Sequence, residues 1–64
     1  MKYPNIEAER SRHGMTMDAL AKELNVTRKT VYNWIRRGRI PQTAVEAMSE
    51  LFDCSIDYLL ERGA

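Results

Sequence analysis

Thr16-Met-Asp-Ala-Leu-Ala-Lys-Glu-Leu-Asn-Val-Thr-Arg-Lys-Thr-Val-Tyr-Asn-Trp-Ile35 is the stretch that decides the fold. It reads as two short helices joined by only three residues, Asn25-Val26-Thr27. Leu20, Ala21 and Leu24 are spaced for one buried face of the first helix, and Val31, Trp34 and Ile35 fall at i, i+3 and i+4 of the second. Thr16 and Thr27 each offer a hydroxyl as N-cap, and Asp18 lies in the first turn, near the positive helix end. A connection this tight sets the helices near-perpendicular. That crossing needs a small residue where the helices approach, which is Ala21, and apolar side chains to pin the corner, which are Leu20, Leu24, Val26, Val31 and Trp34. The turn itself wants a positive φ, and Asn25 is the best choice for it after glycine.

Helix signals continue on both sides. Upstream, a helix is expected after Pro4 with Asn5 as N-cap and Glu7 near its positive end. It should stop at Gly14, with His13 closing it, and its apolar stripe is thin, Ile6 and Ala8. Downstream, Gly38 ends the helix begun at Thr27. Pro41 suits the first position of a fourth helix, with Val45, Met48, Leu51 and Phe52 as its inward stripe. Ser55 caps a short fifth helix, Ile56 to Leu60, whose apolar face is Ile56, Leu59 and Leu60; Cys54 packs between the last two helices. Met15, Met17 and Met48 fill gaps or lie on the surface. Period-two alternation of β-branched residues is nowhere sustained, so the fold class is all-α, with residues 1–64 as one domain.

Composition narrows the function. A chain of 64 residues has room for one small core, with only about 3–5 kcal/mol to spend on stability, which weighs against an enzyme. No paired carboxylates, nucleophile–base pair or phosphate loop stands out. One cysteine and one histidine supply neither a disulfide nor a structural zinc site, so no metal or cofactor is expected. With no apolar run of membrane-spanning length and no signal-like N-terminus, the expected location is the reducing cytoplasm. Net charge is only +1, yet residues 1–26 sum to 0, residues 27–39 to +5 and residues 40–64 to −4. One positive segment, Thr27 to Arg39, is followed by an acidic tail of Glu46, Glu50, Asp53, Asp57 and Glu61, expected to be solvated and to keep its side away from a polyanion.

The helix pair resembles the helix-turn-helix of the Cro/C1-type (XRE-like) bacterial and phage transcription regulators. Val31-Tyr-Asn-Trp-Ile-Arg-Arg-Gly-Arg-Ile-Pro41 and Cys54-Ser-Ile-Asp-Tyr-Leu-Leu60 extend the likeness to the N-terminal DNA-binding domain of phage C1-type repressors, over nearly the whole chain. The departures are Asn25 and Asp53 where glycine is common, Cys54 where valine is common, and Met17 where a phosphate-contacting glutamine is frequent. Relatives often carry an acid near Ile35 that pairs with an arginine of the first helix. None stands there in this chain, so Arg10 is expected to be unpaired.

The resemblance implies a compact five-helix, lambda-repressor-like domain that binds double-stranded DNA sequence-specifically, as a repressor, with its third helix, about 28–36, in the major groove. Arg28, Lys29 and Asn33 fall where base edges are read: Arg and Lys suit guanine acceptors and Asn suits adenine. Thr27, Thr30, Arg36, Arg37 and Arg39 are placed for phosphates, and at Met17 the contact falls to helix N-terminal amides. Tyr32 either packs beside this surface or contacts sugar and phosphate, and is grouped with the phosphate set.

Three competing readings remain. A run of positive charge is often only a solvated face, and a helix-turn-helix can serve as a protein-interaction or antitoxin scaffold through the apolar face of helix 5. A small enzyme is the third. Retention on DNA that falls steeply with salt separates the first expectation from the scaffold. The expected assembly is a homodimer on a two-fold-related operator, monomeric or weakly paired when free, with any self-contact at Ile56, Tyr58, Leu59 and Leu60.

Overall fold

A computed structural model describes residues 3–63. Along them run α1 (Pro4–Arg12), α2 (Met17–Glu23), α3 (Arg28–Arg37), α4 (Gln42–Phe52) and α5 (Ile56–Leu60), with no strand among the described residues. The reading as five helices holds. α2 packs on α3, while α5 packs on both α1 and α4. Each helix contributes to one core, which holds Ile6, Leu20, Val31, Val45, Met48 and Leu59 at almost no exposure.

One corner recurs and accounts for most of the path. At Gly14, Asn25, Gly38 and Asp53 the backbone turns left-handed, with φ of 66°, 59°, 71° and 54°. Behind each turn, the next N–H reaches back five residues: Met15 to Arg10 O, Val26 to Ala21 O and Arg39 to Trp34 O at 3.0 Å, and Cys54 to Ser49 O at 3.1 Å. These bonds satisfy carbonyls that a helix end leaves orphaned. In Gly14-Met15-Thr16, Asn25-Val26-Thr27 and Asp53-Cys54-Ser55 a half-buried apolar residue follows the turn, and then the hydroxyl that caps the next helix. Thr16, Thr27 and Ser55 accept from Ala19, Thr30 and Tyr58 N–H at 3.0, 3.2 and 3.1 Å. Cys54 is thus the corner packer of its turn. Burial, with the negative charges of Glu9 and Asp53, pushes its thiol above its ordinary range.

Several expectations need correction. Asn5 does not cap α1. Pro4 takes the first helical position, where its fixed φ is already helical, and Tyr3 precedes it in a non-helical conformation without a side-chain cap. The Asn5 amide instead donates to Tyr58 O at 2.8 Å, tying α1 to α5. Ala8 is exposed, and the buried residues of α1 are Ile6 and Glu9, i, i+3 neighbours, with Tyr3 buried just ahead of the helix. Glu9, a carboxylate only 4% exposed, is satisfied by Tyr58 Oη at 3.0 Å and Arg12 Nη1 at 3.3 Å. Arg10 is not unpaired: it binds Glu7 one turn back and donates to Met15 O, and the Glu7 hydrogen bond raises its pKa. Pro41 is the N-cap of α4 and not its first residue, so the helix begins one residue later than expected, at Gln42.

Trp34 and Leu51 are half-buried, packed against the core instead of inside it. On α5, Leu59 is fully buried and Ile56 and Tyr58 are half-buried, so of the apolar set expected at a self-contact only Leu60 is exposed. His13 closes α1 as expected, its Nδ1 donating to Glu9 O at 2.9 Å and its ring packed on Phe52.

Candidate nucleic-acid interface

The polar face of α3 follows from what its other face must do. Val31 and Ile35 are sunk into the core, which turns Arg28, Lys29, Tyr32 and Arg36 outward. With Asn33, Thr27 and Asp18 of α2 they line one open concavity of about 710 Å³ at the start of α3. All three residues expected at base edges are therefore brought together, along with Thr27, Tyr32 and Arg36 of the phosphate set. Tyr32 is 49% exposed, an unusual position for a large aromatic ring in a domain this small.

Within the concavity the side chains order one another. Thr27 Oγ1 meets Thr30 Oγ1 at 2.9 Å while capping α3, so Thr30 is engaged at the helix start. Arg36 Nη2 donates to Asn33 Oδ1 at 2.9 Å, one turn apart on the same face, which orients the Asn33 amide. Arg28 Nε lies 3.6 Å from Asp18 Oδ1 across the junction of α2 and α3. Arg37 and Arg39 are exposed but lie outside the concavity, flanking Gly38 at the far end of α3. Met17 is placed differently from the rest: its side chain belongs to the core and is turned away from any phosphate.

Sequence reasoning missed two participants. Asp18 was legible only as a helix-dipole residue; its approach to Arg28 follows from the crossing of α2 and α3 and not from spacing. Arg62 donates to Gly38 O at 2.9 Å and lies 5.5 Å from the centre of the Tyr3 ring, so it braces the end of α3 against the start of α1. The acidic residues Glu46, Glu50, Asp53, Asp57 and Glu61 are all exposed, and none lines the concavity. Among the described residues no group of His, Cys, Asp and Glu is placed to hold a metal ion, and no helix is long and apolar enough to cross a membrane.

Two capped helices crossing at a left-handed turn, the second with an apolar inner and a basic outer face, define a helix-turn-helix domain. The chain belongs to the Helix-turn-helix family, which matches residues 6–59. It is similar to Repressor protein CI of Enterobacteria phage phi80, with 38% identity over 50 residues that cover 78% of this chain and 21% of that protein. The chain thus spans about a fifth of the length of that curated relative. No solved structure matches it. The resemblance to the Cro/C1-type regulators is borne out.

Proposed function

We propose that this chain is the sequence-specific DNA-binding domain of a transcription regulator of the repressor type, working in the cytoplasm. The observation that carries the reading is the concavity at the start of α3, where Arg28, Lys29 and Asn33 are gathered above a helix whose inner face is locked into the core. In this reading α3 enters the major groove with its N-terminal half against base edges. Arg28 and Lys29 donate to guanine and Asn33 pairs with adenine. Thr27, Thr30, Tyr32, Arg36, Arg37 and Arg39 hold phosphates, joined by the backbone of Met17 at the start of α2. Two copies bind a two-fold-related operator, because a single domain grips too few base pairs to compete with a genome.

Titration of a labelled duplex by fluorescence anisotropy across a salt series tests the reading. With about four to six phosphates neutralised per monomer, the log–log slope is expected at roughly −4 to −5 for each monomer bound. Removing Arg37 or Arg39 should weaken binding on all sequences alike and reduce the slope by about one. Affinity that does not change with salt refutes it.

A further inference from the structure

The concavity on α3 contains one residue of the wrong sign for a nucleic acid. Asp18 stands in the first turn of α2, and its side chain is 71% exposed against 60% for its partner Arg28. An ion pair this exposed contributes little to the fold, and a carboxylate on a DNA-facing surface opposes phosphate attraction. Its placement nevertheless gives it a use. The contact is made through Nε of Arg28, the guanidinium nitrogen nearest the stem, which leaves the terminal Nη pair to face a ligand. Guanine presents O6 and N7 side by side, and two parallel N–H groups match them. An untethered arginine is a flexible charge that meets any phosphate, whereas one held along an edge is a pre-oriented donor pair that loses less freedom on binding.

We infer that Asp18 is a positioning residue that holds Arg28 toward guanine and away from backbone phosphate, and so sets specificity at one base pair. The inference rests on the DNA-binding reading above. In the groove, where water is excluded, the pair strengthens. A backbone phosphate taking the place of guanine would instead set a second anion beside the carboxylate. Arg28 is thereby biased against non-specific contact as well as toward the correct base.

Selection from randomised duplexes, followed by anisotropy titration of the selected site and its single-base variants, tests this on wild type, Asp18→Asn, Asp18→Glu and Arg28→Ala. Asp18→Asn and Arg28→Ala are expected to relax the same guanine column, Asp18→Asn lowering the preference there about tenfold. Asp18→Asn should at the same time leave affinity for an unrelated duplex unchanged or raise it, since a negative charge has been removed. Asp18→Glu, which keeps the charge, retains most of the preference. A double variant carrying both Asp18→Asn and Arg28→Ala is no less selective than Arg28→Ala alone.

An Asp18 that only complements the α2 dipole would scale affinity on every duplex equally. An intact guanine column in Asp18→Asn therefore overturns the inference, as does relaxation at a column other than that of Arg28. Failure of the wild type to select any sequence overturns the DNA-binding reading itself, and a wild-type site that Asp18→Asn reproduces overturns the inference alone.

Discussion

Replacing Gly38 with alanine tests how the end of α3 is held. Gly38 closes the helix at φ +71°, and a Cβ built there would meet both Nη atoms of Arg62 at 3.1 Å. A left-handed conformation costs an L-residue about 1–2 kcal/mol. Alanine returns about 0.4–1 kcal/mol by stiffening the unfolded chain. Moving Arg62 aside breaks its hydrogen bond to Gly38 O, an exposed bond worth about 1 kcal/mol or less. The balance is a loss of about 1–2 kcal/mol in a domain whose whole stability is on the order of 3–5 kcal/mol. For a domain this size that lowers the melting temperature by roughly 5–15 °C.

Thermal unfolding followed by circular dichroism at 222 nm, a wavelength at which helices report, reads the loss directly. Two companions divide it. Gly38→Asn, with a side chain that tolerates the left-handed region, should lose less than Gly38→Ala; Arg62→Ala should lose only the brace. A Gly38→Ala protein that melts with the wild type would refute the argument, because neither the backbone strain nor the Arg62 contact could then matter. Equal losses from Ala and Asn would assign the effect to the collision with Arg62 and not to φ.

The Tyr58–Glu9 hydrogen bond raises the Tyr58 pKa above its ordinary 10.0, and burial raises that of Cys54 above 9.0. Both groups are therefore held neutral in the folded state, so their contribution is complete below those values and lost as pH rises through the folded pKa values; the melting temperature should fall above about pH 9 to 10. Tyr58→Phe should remove the tyrosine part of that alkaline loss, and an unchanged alkaline profile would count against the Tyr58–Glu9 contact. On DNA, duplexes with one and two half-sites, centred about 10–10.5 base pairs or a multiple apart, should differ in affinity per site. Equal per-site affinity in an electrophoretic titration would show that the copies do not cooperate.

What the sequence made legible is what short-range stereochemistry decides. Thr16, Thr27 and Ser55 cap, Asn25 and Gly38 turn left-handed, and α5 runs over Ile56–Leu60, each as read from neighbours within one helical turn. Asn5 fails as a cap because two local rules compete there, and Pro4 with its preset φ starts the helix first. Glu9 and Arg62 were not legible, since their partners lie far along the chain: Glu9 meets Tyr58 at a separation of 49 residues and Arg62 meets Gly38 at 24. Periodicity marks a thin stripe on α1 but cannot say that a buried carboxylate will complete it. At the interface, the resemblance to the Cro/C1-type regulators grouped Arg28, Lys29 and Asn33, while the contacts beside two of them, Asp18 with Arg28 and Arg36 with Asn33, depend on the helix crossing and on rotamers.

In the proposed DNA-binding reading, the division of labour along α3 has a consequence for specificity. Stability at this corner comes from Ala21, Val31 and Ile35 in the core, from the Thr27 cap and from the left-handed turns at Asn25 and Gly38. Arg28, Lys29 and Asn33 enter none of these contacts, and Arg28 and Asn33 each meet a polar side chain on the same surface, Asp18 and Arg36. The proposed reading face is thus flanked by residues that are themselves exposed and contribute little to folding. A change of preferred sequence can then be reached by exchanging a reader together with its supporter, Arg28 with Asp18 or Asn33 with Arg36, without disturbing the core. Exchanging the reader alone would leave a carboxylate or a guanidinium aimed at the wrong base, a penalty against intermediates and a source of discrimination at once.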